Sequence, residues 1–257
     1  MVRRDAYLLA GPTASGKSAA AAVLARRMGA AILSADSMLV YKGMDVGTAK
    51  PPLAERVEFD MGGIDLVTPA DHFSSGAWLR AAASWLANVS PDRPVVIVGG
   101  TGLYFSALLR GLDRKWVKPP PVYPVLQLDR AVLHARIAAR LDEMLSGSAW
   151  FDEVRRLQAD YPIWSDTARV AIGYREIAAA LNGFNGLGDF KDVSGLKEKI
   201  LVRTRQLAKR QETWFRHQAT ALGVPVGESF EETAARVGRV WDEHGPWQVS
   251  LPEEGES

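Results

Sequence analysis

Gly11-Pro12-Thr13-Ala14-Ser15-Gly16-Lys17-Ser18 lies between a short apolar run, Tyr7-Leu8-Leu9-Ala10, and an Ala/Leu-rich stretch that continues to Met28. The octad fits G-x-x-x-x-G-K-[ST], and a strand before it with a helix after it is the setting in which that pattern cradles phosphates. The glycines let backbone N–H groups converge on phosphate oxygens, and the helix N-terminus adds a favourable dipole. Lys17 supplies a point charge, and the Ser18 hydroxyl can hold Mg²⁺. The plainer reading is a Gly/Ser turn that caps a helix beside an exposed lysine. Both glycines, the Lys-Ser pair and the flanking strand together favour the phosphate loop. Such a loop fixes a ligand type, a di- or triphosphate, and leaves the reaction open.

Outward from the loop, strands alternate with helices. Ala30 to Ala35 reads as a second strand, and Gly76 to Ala87 carries Trp78, Leu79, Leu86 and alanines at helical spacing. Val95 to Val98 is a continuous β-branched run, as expected for a strand buried on both faces, and another helix is expected from Gly102. This predicts an α/β fold, a P-loop NTPase-like parallel sheet flanked by helices. Pro119-Pro120-Pro121 and Pro124 break the pattern and predict a connector over residues 112–124, because proline cannot sit in a central strand. After a short strand, Val125 to Leu128, the character turns helical: Arg130 to Leu145, Ala149 to Ala159, Ala171 to Leu181. A turn-rich stretch, Asn182 to Gly195, precedes a long helix from Leu196 to about Gln218. Residues 1–223 are thus expected to form a single domain, with 224–257 a frayed tail.

Composition narrows the partners little. Lys plus Arg number 31 against 30 Asp plus Glu, so any nucleic-acid surface must come from how charge is distributed. There is no cysteine, which removes disulfides, thiolate zinc sites and thiol nucleophiles. The first residues show no signal-peptide pattern and no apolar stretch is long enough for a bilayer, so a cytoplasmic protein without a membrane partner is expected.

The strand ends carry the next clue. Val95-Val96-Ile97-Val98 ends in Gly99-Gly100-Thr101, where P-loop hydrolases normally place the acid that helps bind Mg²⁺. The second strand instead ends in Ser34-Ala35-Asp36-Ser37. Strand C-termini line the ligand crevice of open α/β sheets, so Asp36 can serve as a general base. Its bland reading is an Asx-turn or a helix N-cap. On position alone both stay open.

The loop together with Ser34-Ala35-Asp36-Ser37-Met38-Leu39-Val40-Tyr41-Lys42-Gly43-Met44-Asp45-Val46-Gly47-Thr48-Ala49-Lys50-Pro51 closely resembles the bacterial tRNA dimethylallyltransferases. Val98-Gly99-Gly100-Thr101-Gly102-Leu103-Tyr104 looks like that family's third motif, and Ile172-Gly173-Tyr174-Arg175-Glu176 resembles its tRNA-contacting turn. Thr204-Arg205-Gln206-Leu207-Ala208-Lys209-Arg210-Gln211-Glu212-Thr213-Trp214-Phe215-Arg216 looks like its basic C-terminal helix. The blocks keep family order and cover most of the chain from Tyr7 to Arg216.

The resemblance implies that Gly11, Thr13, Ala14, Ser15, Gly16, Lys17 and Ser18 hold the diphosphate of dimethylallyl diphosphate, with Mg²⁺ on Ser18. Arg140, in Arg136-Ile137-Ala138-Ala139-Arg140, matches the family's diphosphate-binding arginine; its bland alternative is a solvated helix face. Asp36 would accept the proton of an adenine N6, and Thr101 would orient that amine. The tRNA anticodon stem-loop is implied to meet Asp36, Ser37, Met38, Leu39, Gly173, Tyr174, Arg175, Arg205, Lys209, Arg210, Gln211, Thr213, Trp214 and Arg216. On a helical wheel Arg205, Lys209 and Arg216 share one stripe, while Ile200, Leu207 and Trp214 share another that reads as core packing. A monomer is expected.

The chain departs from the family twice. Members carry a helical insertion after the third block that embraces the anticodon stem-loop, whereas here Leu109-Arg110-Gly111-Leu112 runs into the proline-rich bridge and the insertion is expected to be missing. Phe59-Asp60-Met61-Gly62-Gly63-Ile64-Asp65 stands where the family usually has a paired-histidine segment. Eukaryotic relatives add a Cys/His zinc finger, which a chain without cysteine lacks. Three rivals follow: an isopentenyltransferase acting on free AMP, ADP or ATP, a small-molecule kinase with Asp36 as base, and a catalytically silent RNA-binding remnant. The intact basic helix opposes the first, because a free nucleotide has no long backbone to track.

Overall fold

Apolar strands alternating with amphipathic helices require a sheet covered on both faces, and a computed structural model describes that arrangement for residues 2–110, 121–182 and 193–251. Strands β1 (Val2–Ala10), β2 (Ala31–Ala35), β3 (Val95–Gly99), β4 (Tyr123–Gln127) and β5 (Ala221–Pro225) pair in parallel in the order β2-β3-β1-β4-β5. Strand β6 (Trp247–Leu251) lies antiparallel against the first half of β1, from Val2↔Leu251 to Ala6↔Trp247. Successive side chains of β1 go to opposite cores: Ala6, Leu8 and Ala10 to one, Leu9 to the other.

The smaller core is closed by α1 (Lys17–Met28) and α9 (Phe230–His244), through Ala20, Ala21 and Leu24 of the first and Val237 and Trp241 of the second. On the larger core lie α3 (Ser75–Asn88), α4 (Gly102–Arg110), α5 (Arg130–Leu145), α6 (Ala149–Asp160), α7 (Tyr174–Asn182) and α8 (Val193–Arg216), while the short α2 (Leu53–Glu58) buries none of its residues. Trp78 of α3 is fully buried, stacks on Tyr104 of α4 at 4.6 Å and donates its indole N–H to the Ser34 carbonyl of β2. One side chain thereby ties two helices to the strand that ends at Asp36. Among the described residues no helix is long and apolar enough to cross a membrane.

Three expectations need correction. Residues after Gly223 are not a frayed tail as far as Leu251: β5, α9 and β6 complete the sheet and one of its faces, and the indole N–H of Trp241 bonds the Leu8 carbonyl at 3.0 Å. The signal was present as a capping box. Ser229 Oγ accepts the Glu232 N–H at 3.1 Å, and Glu232 Oε2 accepts the Glu228 N–H. Thr233, Ala234, Val237, Val240 and Trp241 then recur at helical spacing on the buried side.

Pro124, expected in a connector, sits inside β4. Tyr123 sends its N–H to Thr220 on the β5 side, so the nitrogen of Pro124 faces β1, where the recorded ladder is one pair, Ala10↔Val125. The missing donor falls where the sheet makes little use of it. The helix expected from Ala171 starts at Tyr174, because Gly173 turns at φ 89°. Residues 111–120, which hold most of the expected bridge, and the stretch 183–192 lie outside the described residues, as do the final residues 252–257.

The Met61-Gly62-Gly63 departure has a steric reason. Ser34 N–H bonds the Gly62 carbonyl and Gly62 N–H bonds the Ile32 carbonyl, so this segment lies directly against β2. A Cβ on Gly62 would fall 2.4 Å from the Trp85 ring. One on Gly63, at φ 77°, would fall 2.4 Å from the Ser34 oxygen. Histidine fits neither place.

Candidate active site

Register builds the site. Ala10 of β1 and Ala35 of β2 both pair with Gly99 of β3, so Gly11, Asp36 and Gly100-Thr101 leave neighbouring strands at one level. Thr101 donates its N–H to the Ala35 carbonyl at 3.2 Å, and its hydroxyl accepts the Ser37 N–H at 2.9 Å while donating to Ser37 Oγ at 3.3 Å. Asp36 Oδ1 accepts the Met38 N–H at 2.9 Å, an Asx-turn. The bland reading of Asp36 is thereby met. The turn fixes the carboxylate, and an ionised carboxylate keeps acceptor capacity beyond one bond.

The loop from Gly11 to Ser18 bends at Ala14 (φ 61°) and Gly16 (φ 87°), then enters α1 at Lys17. Lys17 Nζ donates to the Pro12 carbonyl at 3.2 Å. Burial pushes its ammonium down to about 8; Asp36 opposes that shift and Arg140 adds to it. Arg140, from α5, donates to the Thr48 carbonyl at 3.3 Å, and burial lowers it against the pull of Asp36 and Glu143. An open cavity of about 980 Å³ runs along this side, lined by Lys17, Ser18, Arg140, Val46, Ala49 and Phe230 among others. Arg136 also lines it and reaches the Ser15 carbonyl at 3.4 Å. Arg136 was not among the expected site residues, although its i, i+4 spacing from Arg140 places both on one face of α5.

The residues assigned to RNA divide. Gln211 ties α8 to the loop: its Oε1 accepts the Thr13 N–H at 2.8 Å and its Nε2 donates to the Gly100 carbonyl at 3.0 Å. Trp214 packs where a Cβ on Gly102 would meet its ring at 2.4 Å. Tyr174 is fully buried with its hydroxyl bonded to Glu153, which leaves no surface for RNA. Gly173 is held through its N–H by Glu176 at 2.7 Å, and Arg175 points outward beside it. Met38 packs on the larger core, and the Leu39 carbonyl accepts the Asp65 N–H. Lys209, Arg210, Thr213 and Arg216 are exposed, while Arg205 is half-buried with its Nε unpartnered among the described residues.

The packing stripe of α8 also needs correction. Leu201, Ala208 and Phe215 are buried, one position beyond the expected Ile200, Leu207 and Trp214, of which Ile200 alone is buried. Phe215 meets Phe105 edge-on at 5.3 Å, which sets the phase of the helix.

Comparison with known proteins gives the family. A family described as IPP transferase matches residues 39–123 and 115–218, and one described as isopentenyl transferase matches 4–60. The chain belongs to the IPP transferase family. It is 34% identical to the tRNA dimethylallyltransferase of Methylibium petroleiphilum, over 82% of this chain and 86% of that one. With the enzyme of the same name from Thiobacillus denitrificans it shares 34% identity, over 90% and 95% of the two chains. The tRNA isopentenylpyrophosphate transferase of Bacillus halodurans superposes on this family member with a TM-score of 0.78 at 24% identity, over 94% of this chain and 98% of that one. The corresponding Staphylococcus epidermidis protein gives 0.80 at 22%, over 93% and 99%. The two structures share its fold, a parallel sheet flanked by helices.

Proposed function

We infer that this chain transfers a dimethylallyl group from dimethylallyl diphosphate to N6 of an adenine in a tRNA anticodon loop, releasing diphosphate. The observation that carries the reading is that the loop leading to Lys17, Asp36 and Thr101 leave three in-register strand ends together, with Gly-Gly-Thr at the end of β3 in place of an acid. N6 attacks C1 of the prenyl chain, the C1–O bond breaks, and diphosphate leaves with that electron pair. Asp36 takes the N6 proton, and Thr101, itself fixed by Ser37 and Ala35, orients the amine. Lys17, the loop amides and Arg140 meet the charge growing on the leaving group, the kind of electrostatic term that often dominates catalysis. Arg136 lines the same cavity and joins them.

Mg²⁺ fits this arrangement. Among the described residues no group of three or more His, Cys, Asp or Glu could hold a metal by itself. A magnesium ion that keeps several waters and shares phosphate oxygens needs no such cage. Ser18, exposed at the cavity beside Lys17, would hold it, and the ion would supply charge to the leaving diphosphate. The exposed cations of α8 and Arg175 would follow the RNA backbone. The adenine must leave its stack, an unstacking that costs a few kcal/mol. We propose a cytoplasmic monomer with residues 1–251 as one catalytic unit.

A second reading is favoured by one observation: the family match breaks into two pieces at residues 115–123, inside the proline-rich bridge. The alignment with the Methylibium relative runs over 287 positions, more than the 257 residues of this chain. Both support a missing insertion, and hence a free adenine nucleotide as rival acceptor. Offering dimethylallyl diphosphate with tRNA, an anticodon stem-loop and AMP in parallel separates the two: prenylated RNA supports the tRNA reading, and prenylated AMP alone overturns it.

A further inference from the structure

Glu153 lies inside α6, only 4% exposed, and among the described residues no cation pairs with it. A buried carboxylate without a cation persists only where hydrogen bonds replace its water. Here they come from one loop and one tyrosine. Oε2 accepts the N–H groups of Asp45 at 3.0 Å and Val46 at 2.9 Å, and Oε1 accepts the Tyr174 hydroxyl at 2.5 Å. The same hydroxyl accepts the next N–H in line, that of Gly47, at 3.1 Å. Burial and the neighbouring carboxylate both push Tyr174 up, so it stays protonated and remains a donor to Glu153. Three consecutive backbone N–H groups thus converge on a buried Glu–Tyr pair.

The other side of this loop faces the donor cavity. Val46 and Ala49 line it, and the Thr48 carbonyl receives Arg140 at 3.3 Å. Lys50, its side chain fully buried, ties the end of the loop to Asp65 at 2.6 Å and to the Tyr41 carbonyl at 2.8 Å. Nothing adjustable is left at Gly47, where a Cβ would meet Trp150 Nε1 at 2.3 Å and the Tyr174 ring at 2.5 Å. A loop pinned on three sides has one place for its Thr48 carbonyl, and that carbonyl is the seat of Arg140.

We propose that Glu153 and Tyr174 are positioning residues for the prenyl diphosphate: they fix residues 45–48, and through the Thr48 carbonyl they hold Arg140 over the leaving group. The pair touches no reacting atom. It rests on the reading of this cavity as the donor site, and its test uses donor binding in the absence of any acceptor.

The measurement is the Kd of dimethylallyl diphosphate for the whole protein and its variants. Glu153→Ala should weaken donor binding roughly tenfold to a hundredfold, as displaced supporting residues do elsewhere. Glu153→Gln should recover most of that loss, because its single carbonyl oxygen still accepts from Asp45 and Val46. Tyr174→Phe keeps the ring and removes the hydroxyl, so it should cost severalfold, and it carries the test if Glu153→Ala fails to fold. In an Arg140→Ala background both effects should largely vanish, since the residue they act through is gone. Additive losses in that background would overturn the proposal. So would a lowered melting temperature with donor Kd unchanged in Glu153→Ala and Tyr174→Phe. Failure of the wild-type protein to bind dimethylallyl diphosphate would sink the donor reading itself, a different and separable result.

Discussion

The donor crevice and the outer face of α8 carry charge of the same sign, yet they are specified in different ways. In the crevice, Gly11, Asp36 and Thr101 sit where backbone register puts them, because Ala10, Ala35 and Gly99 are paired across neighbouring strands. Each functional group there is also held by a second contact: Thr101 by Ser37, Asp36 by Met38, Arg140 by Thr48. On α8, Lys209, Arg210 and Arg216 are exposed. Their placement depends on the phase of one helix, which is set by Leu201, Ala208 and Phe215 on its far side. Enclosed charge acts at a fixed point with little solvent screening, whereas exposed charge acts diffusely and is screened by salt.

That difference sets the size of each expected effect. Asp36→Asn should lower turnover roughly 10²-fold or more while donor and RNA still bind, the cost of losing a general base. Single-turnover rates with both substrates saturating measure it, and an unchanged rate would leave Asp36 as a turn residue only. Lys17→Ala and Arg140→Ala should each weaken donor binding roughly tenfold to a hundredfold, the range of a charge-assisted hydrogen bond of about 1.5–3 kcal/mol. RNA affinity without donor should not move. If either variant lost RNA and kept the donor, the two regions would not be separable as described.

Acidity sharpens the comparison next. In the proposed mechanism the charged form of Lys17 binds the diphosphate, and burial brings its loss of a proton down to about 8. Donor affinity in the absence of RNA should therefore fall as pH rises through about 8, by severalfold, and the fall should be absent in Lys17→Ala. The smallest effect belongs to α8. Lys209→Ala and Arg210→Ala should each reduce the slope of log affinity against log salt by somewhat under one unit, with donor binding untouched. A slope that stays at the wild-type value would remove both residues from the RNA interface.

How far the sequence carried the reading follows the same division. The phosphate loop was legible because its residue types are dictated by backbone conformation, and the strands because β-branched runs such as Val95 to Val98 leave few alternatives. Arg136 belongs to no motif, yet the four-residue spacing on α5 places it beside Arg140. The phase of α8 was off by one position because Ile200, Leu207 and Trp214 are as apolar as the stripe that packs, and Phe105 decides between them from another helix. The protein partners of Tyr174 and Gln211, Glu153 and Gly100, lie on other elements and do not follow from spacing. The last helix and strand were legible only through the Ser229–Glu232 capping box, because their charged residues also suit an exposed tail.

The central claim is that enclosed chemistry at Asp36 serves an adenine presented by RNA. The most direct measurement is prenyl transfer from labelled dimethylallyl diphosphate to an anticodon stem-loop and to AMP, each across a salt titration. Labelled stem-loop is expected, with yield at limiting RNA falling steeply as salt rises, and little or no labelled AMP. Salt-independent labelling of AMP with no stem-loop product would contradict it.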